Sequence, residues 1–160
     1  MSEGPRKPAA ADVSWFGADL PSAQRERLAA LAREVEFPAG TVISNEGDAV
    51  AELGVVRHGR VALRLHVPGK GMLTVLTVEP GDIFNWSGMV APYRSTSTLV
   101  TVEPVTAVLF DAMALREAVA EDAVLGSFVY PRLLRAVARR LGATRLQLLD
   151  VFASQAGEPW

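Results

Sequence analysis

The 160-residue chain contains no cysteine. This excludes disulfides, thiolate zinc sites, cysteine-ligated iron–sulfur clusters and thiol nucleophiles. Histidine is also scarce, and the two residues, His58 and His66, are too few for the histidine-rich metal cluster of a cupin-like roll. No Ser/His/Asp set or carboxylate pair stands out. We therefore expect that the protein is not an enzyme and uses no cofactor.

The sequence also lacks an excess of positive charge, a long apolar run and a signal sequence. Its net charge is -2 and its pI is about 5.7, whereas a DNA-binding surface needs a basic face. No stretch is long enough to span a membrane, and the first residues, MSEGPRKPAAAD, have no apolar h-region. These features predict a cytoplasmic protein without a membrane partner, whose residues 1–14 form a disordered tail.

Short β-rich runs alternate with turn signals from about Glu36 to Phe110. The turn signals recur every 8–12 residues or so, as is typical of an antiparallel sandwich or roll. In Arg60–Val67 apolar and polar residues alternate, and PGKG at 68–71 predicts a hairpin to the next run. The predicted fold is mainly β with flanking helices, an antiparallel β-roll or jelly roll with a long C-terminal helix. One domain covers 15–154, and 155–160 form a C-terminal tail.

The residues before and after this β-rich part show the apolar spacing of helices. A first helix is predicted with Asp19 or Ser22 as its cap. Its apolar stripe comprises Leu20, Leu28, Leu31 and Val35. Asp111 is predicted to cap another helix, and a further one starts near Asp122, where Pro131 is expected to kink or restart it.

The sequence from Pro131 onward predicts one long helix with a coiled-coil seam. The seam residues follow each other at intervals of three and four: Leu134, Val137, Leu141, Thr144, Leu148 and Val151. This spacing predicts a homodimer through the C-terminal helix, with another side of the helix on the roll. We expect an effector protein of unknown identity to respond to the position of this C-terminal helix.

The segment Gly81–Pro104 has the composition of an anion site. It contains a turn, a short helical stretch near Asn85–Met89, a loop, and then Arg94 before a hydroxyl-rich strand. Free N–H groups at a helix start bind anions, and arginine binds phosphate in a bidentate manner. Asn85, Ser87 and the hydroxyls after Arg94 add hydrogen-bonding groups.

The strings FPAGTVISNEGD, GVVRHGRVAL, GDIF…YRSTST and ARRL resemble the cyclic-nucleotide-binding domain of the cAMP-receptor-protein (Crp/Fnr) family. The resemblance implies that GDIF to RSTST is a phosphate-binding cassette for a cyclic nucleotide, cAMP or cGMP, or a similar phosphorylated small molecule. Carried over by position, the implied ligand-binding residues are Phe84, Asn85, Trp86, Ser87, Gly88, Met89, Arg94, Ser95, Thr96, Thr144 and Arg145. In this set Arg94 and Ser95 bind the phosphate, and Thr144 and Arg145 reach the base.

The cassette departs from the family pattern in ways that leave two functions open. Trp86 replaces the glutamate that accepts the ribose 2′-hydroxyl, and losing such an acceptor costs about 1–3 kcal/mol, roughly ten- to a hundredfold in affinity. Trp86 is either a lid that stacks on a base or a core residue, and Thr144 either a ligand contact or a seam residue. The first hypothesis is a sensor module, and the second is a degenerate dimeric scaffold that binds no nucleotide.

A metal-dependent roll enzyme is a distant third hypothesis. Few residues follow Phe152, where the family's transcription factors continue into a helix-turn-helix module, so we expect no direct DNA binding.

Overall fold

The computed structural model describes residues 11–156, and side chains as far as Ser154. Two four-stranded antiparallel sheets are flanked by three α-helices, which confirms the predicted β-roll with a long C-terminal helix. The strands are β1 (Ala32–Phe37), β2 (Val42–Ser44), β3 (Glu52–His58), β4 (Val61–Val67), β5 (Gly71–Val78), β6 (Ile83–Phe84), β7 (Thr98–Thr101) and β8 (Val105–Asp111). The helices are α1 (Ser22–Ala30), α2 (Ala112–Glu121) and α3 (Ala123–Ala156), and a 3-10 helix covers Trp86–Met89.

The first sheet, in the order β1-β8-β3-β6, lies between the second sheet and the helices; the second has the order β2-β7-β4-β5. Alternation along β8 shows this arrangement. Val105, Ala107 and Leu109 are buried against the second sheet, whereas Val108 and Phe110 are buried in the core that contains the helices. Both faces of β8 are therefore apolar, as expected for a strand covered on two sides. The predicted PGKG hairpin is confirmed, because Val67 pairs with Gly71.

The first helix is shorter than predicted. Its N-cap is Pro21, without a side-chain hydrogen bond, so the predicted caps Asp19 and Ser22 are wrong. Leu31 is the C-cap residue, and Val35 belongs to β1. The reason is tertiary: β1 pairs with β8 along its whole length from Ala32 to Phe37, and this pairing overrides the local helical period.

The later helices partly follow the predictions. Asp111 is confirmed as the N-cap of α2, since its carboxylate accepts a hydrogen bond from Ala114 N–H at 2.8 Å. The predicted restart at Pro131 is wrong, because α3 is one 34-residue helix with this proline inside. The buried residues Phe128 and Leu133 on either side of Pro131 pack into the same core, which holds the helix together across the proline.

The packed part of the chain extends beyond the predicted boundaries. Ala11 and Val13, predicted to lie in the tail, are buried in the core that contains the helices. Helix α3 includes Gln155 and Ala156, which were predicted to lie in the C-terminal tail. The rest of the two predicted tails, 1–10 and 157–160, lies outside the described residues.

Strand β6 is held in place by contact between Gly54 and Phe84. These residues are paired in β3 and β6, and a Cβ atom at position 54 would overlap the Phe84 ring. The missing side chain lets the ring lie directly on the neighbouring strand. The residues after Phe84, which contribute to the candidate site, are therefore anchored to β3, an inner strand of the first sheet.

Candidate ligand-binding site

A cavity of about 70 Å³ lies between the turn after β6, the residues that precede β7, and one face of α3. Its walls come from three parts of the chain. The residues around the turn are Gly81, Asp82, Ile83, Phe84, Asn85, Trp86 and Ser87; the segment before β7 contributes Ser95, Thr96 and Ser97; and α3 contributes Arg132, Arg135, Ala136, Arg139 and Arg140. Leu63, Leu76, Val78 and Leu99 form an apolar wall.

The 3-10 helix presents its first residues to the cavity. Asn85 precedes it in the left-handed conformation, with φ of 54°, and its side-chain oxygen accepts a hydrogen bond from Ser44 Oγ at 3.1 Å. Asn tolerates this conformation better than most residues. The first N–H groups of a helix have no partner within it, and Trp86 and Ser87, the residues that carry them here, line the cavity.

The other end of the 3-10 helix faces the core instead. A Cβ atom at Gly88 would lie 3.0 Å from Ala112 Cβ and 3.0 Å from Val50 Cγ1, so Gly88 is a close-packing position. Its carbonyl accepts a hydrogen bond from Arg116 Nη1. Met89 packs against the helical core. Neither residue lines the cavity, so neither contacts a ligand in this conformation.

Two buried serines form the side of the cavity that leads into β7. Ser95 and Ser97 are both buried, and Ser95 Oγ donates a hydrogen bond to the Ser97 carbonyl at 2.6 Å. Ser95 N–H is bonded to the Asp48 carbonyl at 2.8 Å, which holds this segment on the loop before β3. Thr96 lies between the serines and also lines the cavity. The predicted hydroxyl cluster is therefore present at the site.

The cation inside the cavity is Arg140, which the sequence analysis did not select. Its Nη1 donates to Ser97 Oγ at 3.1 Å and its Nη2 to the Thr96 carbonyl at 2.9 Å. Burial lowers the pKa of Arg140, and the more distant Glu46 carboxylate opposes this effect. Both hydrogen-bond acceptors are neutral, so a half-buried charge lies in the cavity without a carboxylate bonded to it.

Three further arginines of α3 line the same cavity. Arg139 Nη1 is paired with Asp82, and Arg132 Nη1 donates to the Phe128 carbonyl at 3.0 Å. Burial lowers the pKa of Arg132; the charge of Asp19 opposes this and that of Arg135 adds to it. Arg135 is exposed. The four arginines lie at positions 132, 135, 139 and 140, a spacing that matches the helical period. This spacing is a signal in the sequence that could have identified the face of α3 that lines the cavity.

Three of the predicted ligand contacts lie away from the cavity. Arg94 is exposed, and its Nη1 donates to the Gly47 carbonyl at 3.0 Å. Thr144 and Arg145 are exposed on α3, and Thr144 Oγ1 donates to the Arg140 carbonyl of its own helix at 2.9 Å. Of the eleven predicted residues the structure thus brings six to the cavity: Phe84, Asn85, Trp86, Ser87, Ser95 and Thr96.

Trp86 lies between the core and the cavity. It is partly buried against the helical core, as the interpretation as a core residue implies, and it also lines the cavity. Its indole offers the cavity an apolar surface and one N–H donor but no hydrogen-bond acceptor.

Comparison with known proteins decides the family. Residues 34–122, more than half of the chain, match the model of the cyclic nucleotide-binding domain. The chain belongs to this family. The cyclic nucleotide-binding domain described here is 32% identical over 128 residues to the CRP-like cAMP-activated global transcriptional regulator of Mycobacterium tuberculosis. The match covers 78% of this chain and 55% of that protein, so the chain spans about half of its relative's length.

Solved structures share the fold of this cyclic nucleotide-binding domain. A Geobacter metallireducens protein assigned to the cyclic nucleotide-binding proteins is 32% identical, with a TM-score of 0.68 over 79% of this chain and 91% of that chain. A cyclic nucleotide-binding domain from Methylobacillus flagellatus is 22% identical, with a TM-score of 0.72 over 82% of this chain and 74% of that chain. The Thermus thermophilus catabolite activator protein is 20% identical, with a TM-score of 0.66 over 86% of this chain and 62% of that chain.

Two further observations bear on the chemistry of this domain. Within residues 11–156, no group of three or more His, Cys, Asp or Glu side chains is arranged to hold a metal ion. None of the helices in this range combines the length and the apolar character needed to cross a membrane. The cavity is lined by hydroxyls, guanidinium groups, one carboxylate and an apolar wall.

Proposed function

We propose that this domain is a non-enzymatic sensor that binds a cyclic nucleotide, cAMP or cGMP, or a related phosphorylated small molecule, in the cavity described above. The observation that carries the proposal is Arg140. Its guanidinium lies inside the cavity on the Ser97 hydroxyl and the Thr96 carbonyl. A phosphate supplies the negative charge that these neutral acceptors lack, and arginine is well suited to bind it.

The other phosphate contacts come from the cassette. Trp86 and Ser87, the first residues of the 3-10 helix, line the cavity together with Ser95. Arg94 is the partner that the family motif implies, and its participation requires it to leave the Gly47 carbonyl. Thr144 lies one turn beyond Arg140 on α3, so a base attached to the bound phosphate extends toward Thr144 and Arg145.

Ligand binding moves the C-terminal helix in this proposal. Binding pockets for small molecules usually measure about 300–1,000 Å³, whereas the cavity here is about 70 Å³ and contains the Arg140 side chain. A nucleotide enters only if Arg140 and the face of α3 that carries it shift. An effector protein then binds or dissociates in response to the new position of α3.

The proposed signalling unit is a homodimer. Leu134, Leu141 and Leu148 are exposed along one side of α3, the seam identified from the heptad spacing. The opposite side of the helix, including Phe128 and Leu133, is buried in the domain. Pairing of two α3 helices covers the exposed leucines. We propose further that the domain acts in the cytoplasm and binds no DNA directly.

Calorimetric titration of cAMP and cGMP tests the proposal. We expect binding to the native protein and a loss of at least about tenfold in affinity in Arg140→Ala, since charge-assisted hydrogen bonds contribute about 1.5–3 kcal/mol. Arg94→Ala measures whether Arg94 joins the site, with a smaller loss expected. Lys70→Ala, which removes a charge from the β4–β5 turn, is the matched control and should bind normally. Native affinity in both arginine variants would refute the site.

A second candidate function is the degenerate scaffold that binds no nucleotide. The observation that favours it is that Trp86 and Arg140 already occupy the two sides of the cavity. It predicts no heat with cAMP, cGMP or other phosphorylated ligands, together with a stable dimer. The same titration therefore separates the two candidates.

A further inference from the structure

The charge that lines the cavity exceeds what a cyclic mononucleotide can neutralise. Four arginines, Arg132, Arg135, Arg139 and Arg140, and one residue with a carboxylate, Asp82, are among the described residues that line the cavity. The guanidinium of Arg132 lies over the Phe128 ring, 3.6 Å from its centroid. The formal excess is three positive charges, whereas a cyclic mononucleotide carries one negative charge. This imbalance is a property of the site itself, because the chain as a whole is slightly acidic.

Only one of the four arginines is neutralised within the described structure. Arg139 pairs with Asp82. The side-chain hydrogen bonds of Arg132 and Arg140 go to neutral carbonyl and hydroxyl oxygens, and Arg135 forms no ion pair with a residue in the range 11–156. A half-buried charge without a carboxylate bonded to it, such as that of Arg140, is costly, and the exposed charge of Arg135 is left unbalanced beside it. A bound anion balances both charges only if it carries at least two.

Position 86 adds no carboxylate to this lining. Trp86 lines the cavity with an indole, which offers an apolar surface and one N–H donor but no hydrogen-bond acceptor for a ribose hydroxyl. This favours a ligand that is recognised through its phosphates.

We propose that the ligand of this cavity carries at least two negative charges, as in a nucleoside 5′-phosphate or diphosphate, and is preferred over a cyclic mononucleotide. The inference rests on the proposed function, because it assumes that this cavity binds a phosphorylated small molecule. Arg140 binds one phosphate beside Ser95 and Ser97, and Arg135 provides the charge for the other. Arg135 is then a specificity residue, which distinguishes ligands by their charge.

Four probes test the inference: cAMP, 5′-AMP, ADP and inorganic pyrophosphate, titrated at one fixed salt concentration. The negative charge rises from cAMP through 5′-AMP to ADP, and pyrophosphate resembles ADP in charge. The three adenosine ligands differ mainly in their phosphates, and pyrophosphate removes any dependence on the base. We expect ADP to bind at least about tenfold more tightly than cAMP. In Arg135→Gln we expect ADP affinity to fall about fivefold or more and cAMP affinity by less than about twofold. Lys70→Gln, which removes one charge elsewhere, should leave all four affinities unchanged.

The outcomes distinguish this inference from the proposed function. If cAMP binds as tightly as ADP, or if Arg135→Gln leaves ADP affinity unchanged, the inference is overturned while a phosphate-binding cavity stands. If none of the four probes binds, the inference is overturned, and the proposed function falls with it if cGMP does not bind either. Arg135 is exposed, so the variant is expected to fold, and unchanged thermal unfolding of Arg135→Gln checks this.

Discussion

The guanidinium of Arg140 donates a hydrogen bond to the hydroxyl of Ser97 at 3.1 Å, across 43 residues of sequence. This bond joins the C-terminal helix to the segment that leads into β7. Ser97 is buried and both residues line the cavity. The cavity wall and the C-terminal helix are therefore in direct contact in this structure.

Removing the Ser97 hydroxyl should weaken both the fold and the site. Ser97→Ala leaves Arg140 with the Thr96 carbonyl as its side-chain partner, so we expect a loss of about 1 kcal/mol in the free energy of unfolding. Affinity for phosphorylated ligands should change as well, because Arg140 is no longer held on this wall. Denaturant unfolding and calorimetry measure the two effects. Ser154→Ala is the control, and equal stability of the two variants would contradict the account.

Filling the space at Gly54 should disturb the site from a distance. In Gly54→Ala the new methyl group overlaps the Phe84 ring, and Phe84 is followed directly by the 3-10 helix. Overpacking of this kind costs about 1–3 kcal/mol. We expect a lower midpoint of thermal unfolding and weaker ligand binding, although Gly54 does not line the cavity. Gly142→Ala, where an added Cβ meets open space, should show neither effect.

The start of α3 should give a pH-dependent contribution to stability. The backbone N–H of Leu125 is the main cause that lowers the pKa of Asp122 below its ordinary value of 3.8; Gln24, Val124 and Arg27 add to this and burial opposes it. Since the folded pKa is the lower one, the contribution is complete above 3.8 and is lost as the pH falls below it. Asp122→Asn should therefore be less stable at neutral pH.

The difference between Asp122→Asn and the native protein should narrow below about pH 4, where the native carboxylate becomes protonated. Unfolding in urea, measured at neutral and acidic pH, gives both free energies. A difference that stays constant from neutral pH to about pH 3 would show that the charge of Asp122 does not contribute.

The exposed seam of α3 should control the oligomeric state. Leu141 is 59% exposed and belongs to the heptad stripe. Leu146 is 66% exposed and lies on a different side of the helix. We expect light scattering to show a dimer for the native protein and for Leu146→Asp, and a monomer for Leu141→Asp, because a charge in the seam opposes pairing. A native monomer at micromolar concentration would refute the predicted dimer.

Local patterns predicted the fold well because its elements have short-range signals. The alternation in Arg60–Val67 and the PGKG turn correspond to β4, β5 and their hairpin, and Asp111 caps α2 as its position indicates. The boundary between α1 and β1 was missed because it depends on pairing with β8, which is distant in sequence. Sequence neighbours carry no information on that contact.

The site was predicted in part for the same reason. Asn85, Trp86, Ser87 and Ser95 lie within one segment, so the motif brings them together, and all four line the cavity. Arg140 was missed because its partners lie more than 40 residues earlier, and on α3 only Thr144 and Arg145 were predicted as ligand contacts. The arginine spacing shows one charged face but not which part of the roll that face contacts.

The most direct test of the central claim is a crystal structure of the protein with a phosphorylated ligand, ADP or cAMP, bound. The account predicts a phosphate group within hydrogen-bond distance of the Arg140 guanidinium and of the first residues of the 3-10 helix, with α3 displaced from its unliganded position. Density for the ligand at any other place, or a cavity that stays closed around Arg140 at saturating ligand, would contradict it.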